Sequence, residues 1–309
     1  MKYQCFFIVL FLLVSCTNKE KTTSEVNLAT SFETSTIQDK IANLRNSLSK
    51  EILVVAHRGD WRNAPENSIQ AIVNVIEMGV DIVEIDIHET KDGHLVLIHD
   101  DSLERTTSGR GLVKNWTLDS LKTLTLKDGL GIPTRHRIPT LEEALLVTKD
   151  KILVNLDKSY DLLDKCLDVV TKTGTLNQVI IKGGKTRSEV ERKFGAYLDD
   201  VTFMPVLWPN KNMDSIVQDY LNHRKPIAFE FIIPKDSMVN GSYFKEIREK
   251  GASVWVNSLW PHLSGGHDDD NAVLDVDTYR WYIENNINII QTDRPKLLLD
   301  YLRSKGLHK

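Results

Sequence analysis

From residue 51 onward, short apolar runs rich in β-branched residues alternate with longer stretches whose apolar positions recur at helical spacing. The short runs are 52–56, 81–87, 95–98, 152–156, 178–181, 202–207, 227–233, 253–257 and 288–291. The helical stretches between them are 68–78, 141–148, 160–173, 187–194, 213–222, 243–250, 278–286 and 295–304. Strand-then-helix repetition predicts parallel βα units. Nearly eight such units over this length predict an α/β fold, a (β/α)8 TIM barrel. The pattern holds one strand too many for such a barrel. The Asp92-Gly93 pair before Leu95 reads as a tight turn, so one of its two flanking strands is irregular. The stretch 101–137 has no clean period and reads as a small insertion after the third strand, lying over one end of the barrel.

The N-terminus follows a different pattern. Lys2 precedes an unbroken apolar run over 5–14, too short to span a bilayer and suited to the core of a signal peptide. It ends Leu13-Val14-Ser15-Cys16, which resembles the lipobox of bacterial lipoproteins, in which the cysteine becomes the lipidated first residue. The expected organisation is therefore a signal peptide over 1–15, a tether and short helix over 16–50, and the barrel over 51–309. The tether is Thr-, Ser-, Lys- and Glu-rich. Ile37, Ile41, Leu44 and Leu48 then mark a helix expected to cap the bottom of the barrel. On this reading the protein is an exported lipoprotein, anchored to a membrane through lipid on Cys16.

Composition narrows the partners. Lys and Arg number 39 against 43 Asp and Glu, a formal charge of −4, which argues against nucleic acid bound through a broad basic surface. A hydrophobic content of 41% supports a packed core, and nothing in the pattern implies an obligate protein partner. Cys166 alone falls in the folded part beyond Cys16, so no internal disulfide is expected, and its helical context makes it a buried small hydrophobe.

Chemistry-bearing residues gather where the strands end. The first run leads into His57-Arg58-Gly59, the second carries Glu84 and Asp86, the third ends in His99-Asp100, and the fourth in Asp157-Lys158. Period-two geometry puts Glu84 and Asp86 on one face, where two carboxylates repel unless a hard cation sits between them. Three oxygen ligands, Glu84, Asp86 and Asp157, suit Mg2+ or Ca2+ better than zinc. Arg58 and Lys158 offer fixed positive charge to a phosphate, and two histidines on different strands suit an acid/base pair. Together these describe phosphoryl transfer. No P-loop, zincin or Gly-x-Ser-x-Gly motif competes.

His57-Arg58-Gly59 with Pro65-Glu66-Asn67, Glu84-x-Asp86 with Thr90-Lys91-Asp92-Gly93, His99-Asp100, and Thr292-Asp293-Arg294-Pro295 resemble the glycerophosphodiester phosphodiesterase family. The resemblance runs from residue 52 to the C-terminus and is most specific over 52–100. It implies a TIM barrel and metal-dependent cleavage of glycerophosphodiesters to sn-glycerol 3-phosphate and an alcohol. His57 and His99 match the family's acid/base histidines, Arg58 its phosphate ligand, and Glu84 and Asp86 its metal ligands. The third ligand usually stands in a Glu-x-Lys pattern. Here Asp157-Lys158-Ser159 departs from it, leaving Lys158 either facing phosphate or pointing outward. Val254-Trp255-Val256-Asn257 is similar to a Trp-Thr-Val-Asn pattern of the family, so Trp255 either lines the substrate pocket or packs in the wall. The acidic stretch His267–Asp270 reads as a second cation loop or a solvated one. Related readings are a barrel phosphodiesterase acting on another head group or on phospholipid, and a surface lipoprotein that binds phosphodiesters without turnover.

Overall fold

The computed structural model describes residues 35–309. The expected signal peptide, Cys16 and the tether up to residue 34 lie outside the described residues. Among the described residues nine strands form: β1 (Leu53–His57), β2 (Ile82–Glu89), β3 (Leu95–Leu97), β4 (Leu153–Asp157), β5 (Val179–Gly183), β6 (Thr202–Leu207), β7 (Ala228–Phe231), β8 (Ser253–Asn257) and β9 (Ile289–Thr292). Eight of them, all but β3, pair in parallel around a closed ring in which β9 returns to β1. This is a TIM barrel. The supernumerary strand is β3, which folds back antiparallel on the outer half of β2 through the turn at Asp92-Gly93. Gly93 there has φ 84°, a left-handed conformation open to glycine.

Apart from two short helices, at 118–122 and 269–274, the helices follow the predicted pattern. They are α1 (Ile37–Arg45), α2 (Ile69–Met78), α3 (Leu118–Lys122), α4 (Leu141–Thr148), α5 (Leu163–Thr173), α6 (Arg187–Phe194), α7 (Met213–His223), α8 (Gly241–Glu249), α9 (Asp269–Leu274), α10 (Arg280–Glu284) and α11 (Pro295–Ser304). Their starts are fixed by local chemistry. Thr140 and Glu143 form a capping box on α4, and Pro295 opens α11. Among the described residues, no helix is long and apolar enough to cross a membrane.

Strand phase sorts the core into two parts. Val54, Val83, Val154, Ile181, Phe229, Val254 and Ile290 face outward and pack with the helices. Their neighbours Leu53, Val55, Ile82, Leu153, Ile180, Met204, Ala228 and Ile289 face the barrel axis and form its floor. Ile37 and Leu44 of α1 join this inner cluster, so the expected capping helix closes the N-terminal end of the barrel. Lys40 on the same helix is buried, and its ammonium donates to the Val80 carbonyl. The insertion has a small core of its own built on Val96, Leu103, Val113, Leu121, Leu126 and Ile138.

Candidate active site

Above the floor, the inward-facing positions turn from apolar to polar. His57 on β1, Glu84 and Asp86 on β2, Asn155 and Asp157 on β4, Lys182 on β5, Glu230 on β7 and Asn257 on β8 share the phase of the floor residues. All but Asp157 are buried. Glu84, Asp86 and Asp157 each place an oxygen within 4.8 Å of the other two. Burial, with repulsion from Asp86 behind it, pushes the Glu84 carboxyl up to about 7.

The strand-to-helix turn after β1 aims its groups at this cluster. Arg58 and Gly59 both take left-handed conformations, φ 55° and 74°. A side chain on Gly59 would meet the Ala71 backbone at 2.9 Å, so glycine is required there. The turn directs the Arg58 N–H to Glu84 Oε2 at 3.0 Å and sets its guanidinium Nε 3.4 Å from Asp86 Oδ2. Asn67, also left-handed, accepts from the Asp86 N–H at 3.0 Å and donates to Asp86 Oδ2 at 2.9 Å. Asp86 is thereby fixed from two sides, and its Oδ1 is buried without a hydrogen-bond partner.

Both histidines are oriented by carboxylates. His57 Nδ1 lies 2.7 Å from Asp293 Oδ1, which also accepts from Trp61 Nε1 at 2.6 Å. Burial works against the imidazolium, but the Asp293 hydrogen bond and the charge of Glu84 outweigh it, and the His57 pKa is raised. Burial likewise works against the Asp293 carboxylate, yet the bond to His57 holds it below its usual range. His99 Nδ1 lies 2.6 Å from Asp100 Oδ1, and its Nε2 stands 4.0 Å from Asp86 Oδ1. An acceptor on Nδ1 places the ring proton there and leaves Nε2 as the working nitrogen in each case. Arg105, from the insertion, bridges Asp100 and Glu66, and Glu66 in turn holds Arg58 at 3.1 Å.

Beside the histidines lies a cavity of about 370 Å³. Trp61 and Trp260 line it from the barrel, and Arg105, Lys127 and Asp128 from the insertion. The insertion therefore sits over the C-terminal end of the strands, beside the catalytic candidates. Trp260 meets His57 edge-on with ring centroids 5.8 Å apart.

The structure brings together His57, Arg58, Glu84, Asp86, His99 and Asp157, and it corrects two assignments. Trp255 does not line the pocket. Its strand phase buries it completely in the barrel floor, where its Nε1 donates to Asn257 Oδ1 at 2.8 Å. Lys158 is exposed. Its left-handed backbone, φ 59°, turns it out of the barrel, and its ammonium donates to the main-chain oxygen of His99. That oxygen also receives His88 Nε2 at 3.2 Å, which is where His88 acts.

The inward cation is Lys182, one strand further on, 3.4 Å from both Asp157 Oδ2 and Glu230 Oε2. Neither it nor Glu230 was singled out from the sequence, although a charged residue in each apolar run, Val-Ile-Ile-Lys and Ala-Phe-Glu-Phe, was the available signal. Two carboxylates of the acidic stretch at 268–270 are buried and taken up by the fold. Asp268 caps α9 by accepting from the N–H groups of Asp270 and Asn271. Asp269 is buried and accepts from Ser258, Tyr279, Thr292 and the Asp293 N–H.

Residues 57–196 match the model of the glycerophosphoryl diester phosphodiesterase family. Over that segment the chain is similar to this family. Residues 203–302 match the model of a domain of unknown function. The glycerophosphodiester phosphodiesterase of Caldanaerobacter subterraneus is 48% identical over 100 residues, 32% of this chain and 41% of that protein. A Bacillus subtilis glycerophosphodiester phosphodiesterase is 39% identical over 114 residues, covering 34% of this chain and 39% of that one. The chain thus spans about two fifths of the curated relatives it matches.

Solved structures extend the likeness to the whole barrel. A glycerophosphoryl diester phosphodiesterase from Parabacteroides distasonis superposes with TM-score 0.72 at 24% identity, over 88% of this chain and 93% of that one. An Oleispira antarctica phosphodiesterase, solved with the product sn-glycerol-3-phosphate, gives 0.63 at 20% identity, over 81% and 96%. At these identities the superpositions establish the fold.

Proposed function

We propose that the protein is a metal-dependent glycerophosphodiester phosphodiesterase that releases sn-glycerol 3-phosphate and an alcohol, with His57 and His99 as its acid/base pair. One observation carries this reading. Two histidines, each held at Nδ1 by a carboxylate, stand beside three oxygen ligands and an arginine at the C-terminal end of one barrel. The family relatives that match this segment are named for the same activity.

The residues fit a hard divalent cation, Mg2+ or Ca2+. The donors are all oxygens, Asp86 Oδ1 is buried and unpartnered, and among the described residues four inward carboxylates face two inward fixed cations, Arg58 and Lys182. Glu84, Asp86 and Asp157 would hold the ion, which when bound supplies Lewis-acid stabilisation of phosphate charge.

The remaining chemistry belongs to the chain. Nε2 of one histidine takes the proton of the glycerol 2-hydroxyl as its oxygen bonds to phosphorus. The other histidine gives its proton to the departing alkoxide as the phosphorus–oxygen bond breaks. Water then opens the cyclic diester with the two roles exchanged. Arg58, held by Glu66 and aimed along Asp86, sits where a phosphate oxygen would meet a guanidinium. The cavity between Trp61, Trp260 and the insertion has room for the head group of the leaving alcohol. Lipidation at Cys16 and export belong to the same proposal, and mass spectrometry of Cys16→Ser beside wild type tests them.

The deciding measurement is glycerol 3-phosphate release from a panel of glycerophosphodiesters, with EDTA and with Mg2+ or Ca2+ restored. Metal-dependent release, falling at least about 10²-fold in His57→Ala and in His99→Ala, is the expected result. No release from any diester with either metal would overturn the activity.

A further inference from the structure

We infer that Lys182, rather than Lys158, is the ammonium that meets the phosphoryl oxygens in this barrel, because it alone of the two is aimed inward beside the candidate metal ligand Asp157. The inference rests on the proposed phosphodiesterase reading and names a substrate-binding residue for it.

Three features of the side chain support the assignment. Lys182 is only 7% exposed, with an inward phase shared by Ile180 below it in the barrel floor. Its partners, Asp157 Oδ2 and Glu230 Oε2, both stand at 3.4 Å. Charge-assisted N–H···O bonds run to about 2.7–2.9 Å, so both carboxylates hold the ammonium at a longer reach than a short bond requires. The ammonium is held by two carboxylates at long reach, which leaves room for an incoming anionic oxygen at closer range.

The surroundings keep it in place from the far side of the barrel. Trp255 Nε1 donates to Asn257 Oδ1 at 2.8 Å, and Asn257 Nδ2 donates to Glu230 Oε1 at 2.7 Å. Glu230 Oε2 makes no hydrogen bond and stands 3.4 Å from the Lys182 ammonium. This file of residues crosses from β8 through β7 to β5 and points the ammonium at Asp157 on β4. It also gives Trp255, buried in the floor, its connection to the site. Lys158 has no comparable support, since it is exposed and its ammonium is engaged by the His99 carbonyl.

The test measures two quantities on the full domain. Calorimetry reads binding of inorganic phosphate in the presence of Mg2+ or Ca2+, and steady-state assays read hydrolysis of the diester panel. Lys182→Met should weaken phosphate binding and lower kcat/KM by roughly 10²-fold, the scale for removing one donor to a developing anion. Lys182→Arg should recover part of both, and Lys158→Ala should change each less than about threefold. Because Lys182→Met leaves Glu230 unpaired, the double variant Lys182→Met/Glu230→Gln removes both charges and keeps the test sound if the single variant fails to fold. Unchanged phosphate binding in a folded Lys182→Met variant, or in the double variant, with loss in Lys158→Ala, would overturn the inference while leaving the activity intact. If wild type hydrolyses no diester, the activity reading fails, and phosphate binding alone still decides the role of Lys182.

Discussion

His57 owes its orientation to two aspartates that never need to touch substrate. Asp293 accepts at Nδ1, and Asp269 receives the Asp293 N–H at 2.6 Å together with the hydroxyls of Ser258, Tyr279 and Thr292. Burial pushes the Asp269 carboxyl up to about 6 despite those donors, so the fold sustains a costly buried acid to keep the β9 end in place. Asp293→Ala should lower kcat by about 10–100-fold with KM little changed, because the ring loses its tautomer and aim while phosphate contacts persist. Steady-state kinetics across the diester panel check this; an equal loss in KM would mean that Asp293 holds substrate instead. Asp269→Ala removes the acceptor of four buried donors and should cost about 1–3 kcal/mol in urea unfolding as well as kcat.

At the scale of elements, the alternation of strands and helices was readable because each barrel strand sends one face to apolar helices and the other to the axis. The run at 95–97 was ambiguous for a physical reason: β3 has strand composition, yet its tight turn pairs it with β2 outside the ring. The first three strand ends announced their candidate site residues, since His57, Glu84, Asp86 and His99 stand as polar groups in or against apolar runs. Lys182 and Glu230 did so too, but their meaning depends on which face points inward, and that is fixed only when eight strands close. Lys158 stayed open between two directions because a left-handed turn at one residue, which spacing does not reveal, decides which way it points. Asp269 was read within an acidic loop because its partners Ser258, Tyr279 and Thr292 lie up to 23 positions away. The helix α1 was legible from its spacing, and its contribution can be measured. Leu44→Ala should destabilise the domain by about 2–4 kcal/mol in chemical denaturation, by opening a hole beneath Leu53, Ile82 and Leu153, with kcat unchanged at the opposite end.

The barrel as a whole is fastened at that same N-terminal end by Leu307 and His308. Ile52 N–H donates to the Leu307 carbonyl at 2.8 Å, so the chain leaving α11 pairs with the chain entering β1. His308 then places Nε2 2.9 Å from Asp81 Oδ2, an oxygen that also accepts the Val54 N–H at 2.8 Å. The ion pair is nearly buried on both sides. Burial opposes the His308 imidazolium, and Arg303 opposes it further, but the hydrogen bond and charge of Asp81 prevail and its pKa is raised above the usual value. A histidine whose folded pKa is raised binds its proton more tightly in the native state. Its contribution is therefore complete below the unfolded value of about 6.5 and is lost as pH rises through the folded value. His308→Gln should accordingly lose most stability relative to wild type near pH 5.5–6, by about 1–2 kcal/mol, and little near pH 9. Urea unfolding of both proteins at the two pH values checks the sign. A deficit that is the same at both would mean that the ring acts by packing alone and that the charged clasp between the C-terminus and β1 contributes nothing to holding the barrel floor shut.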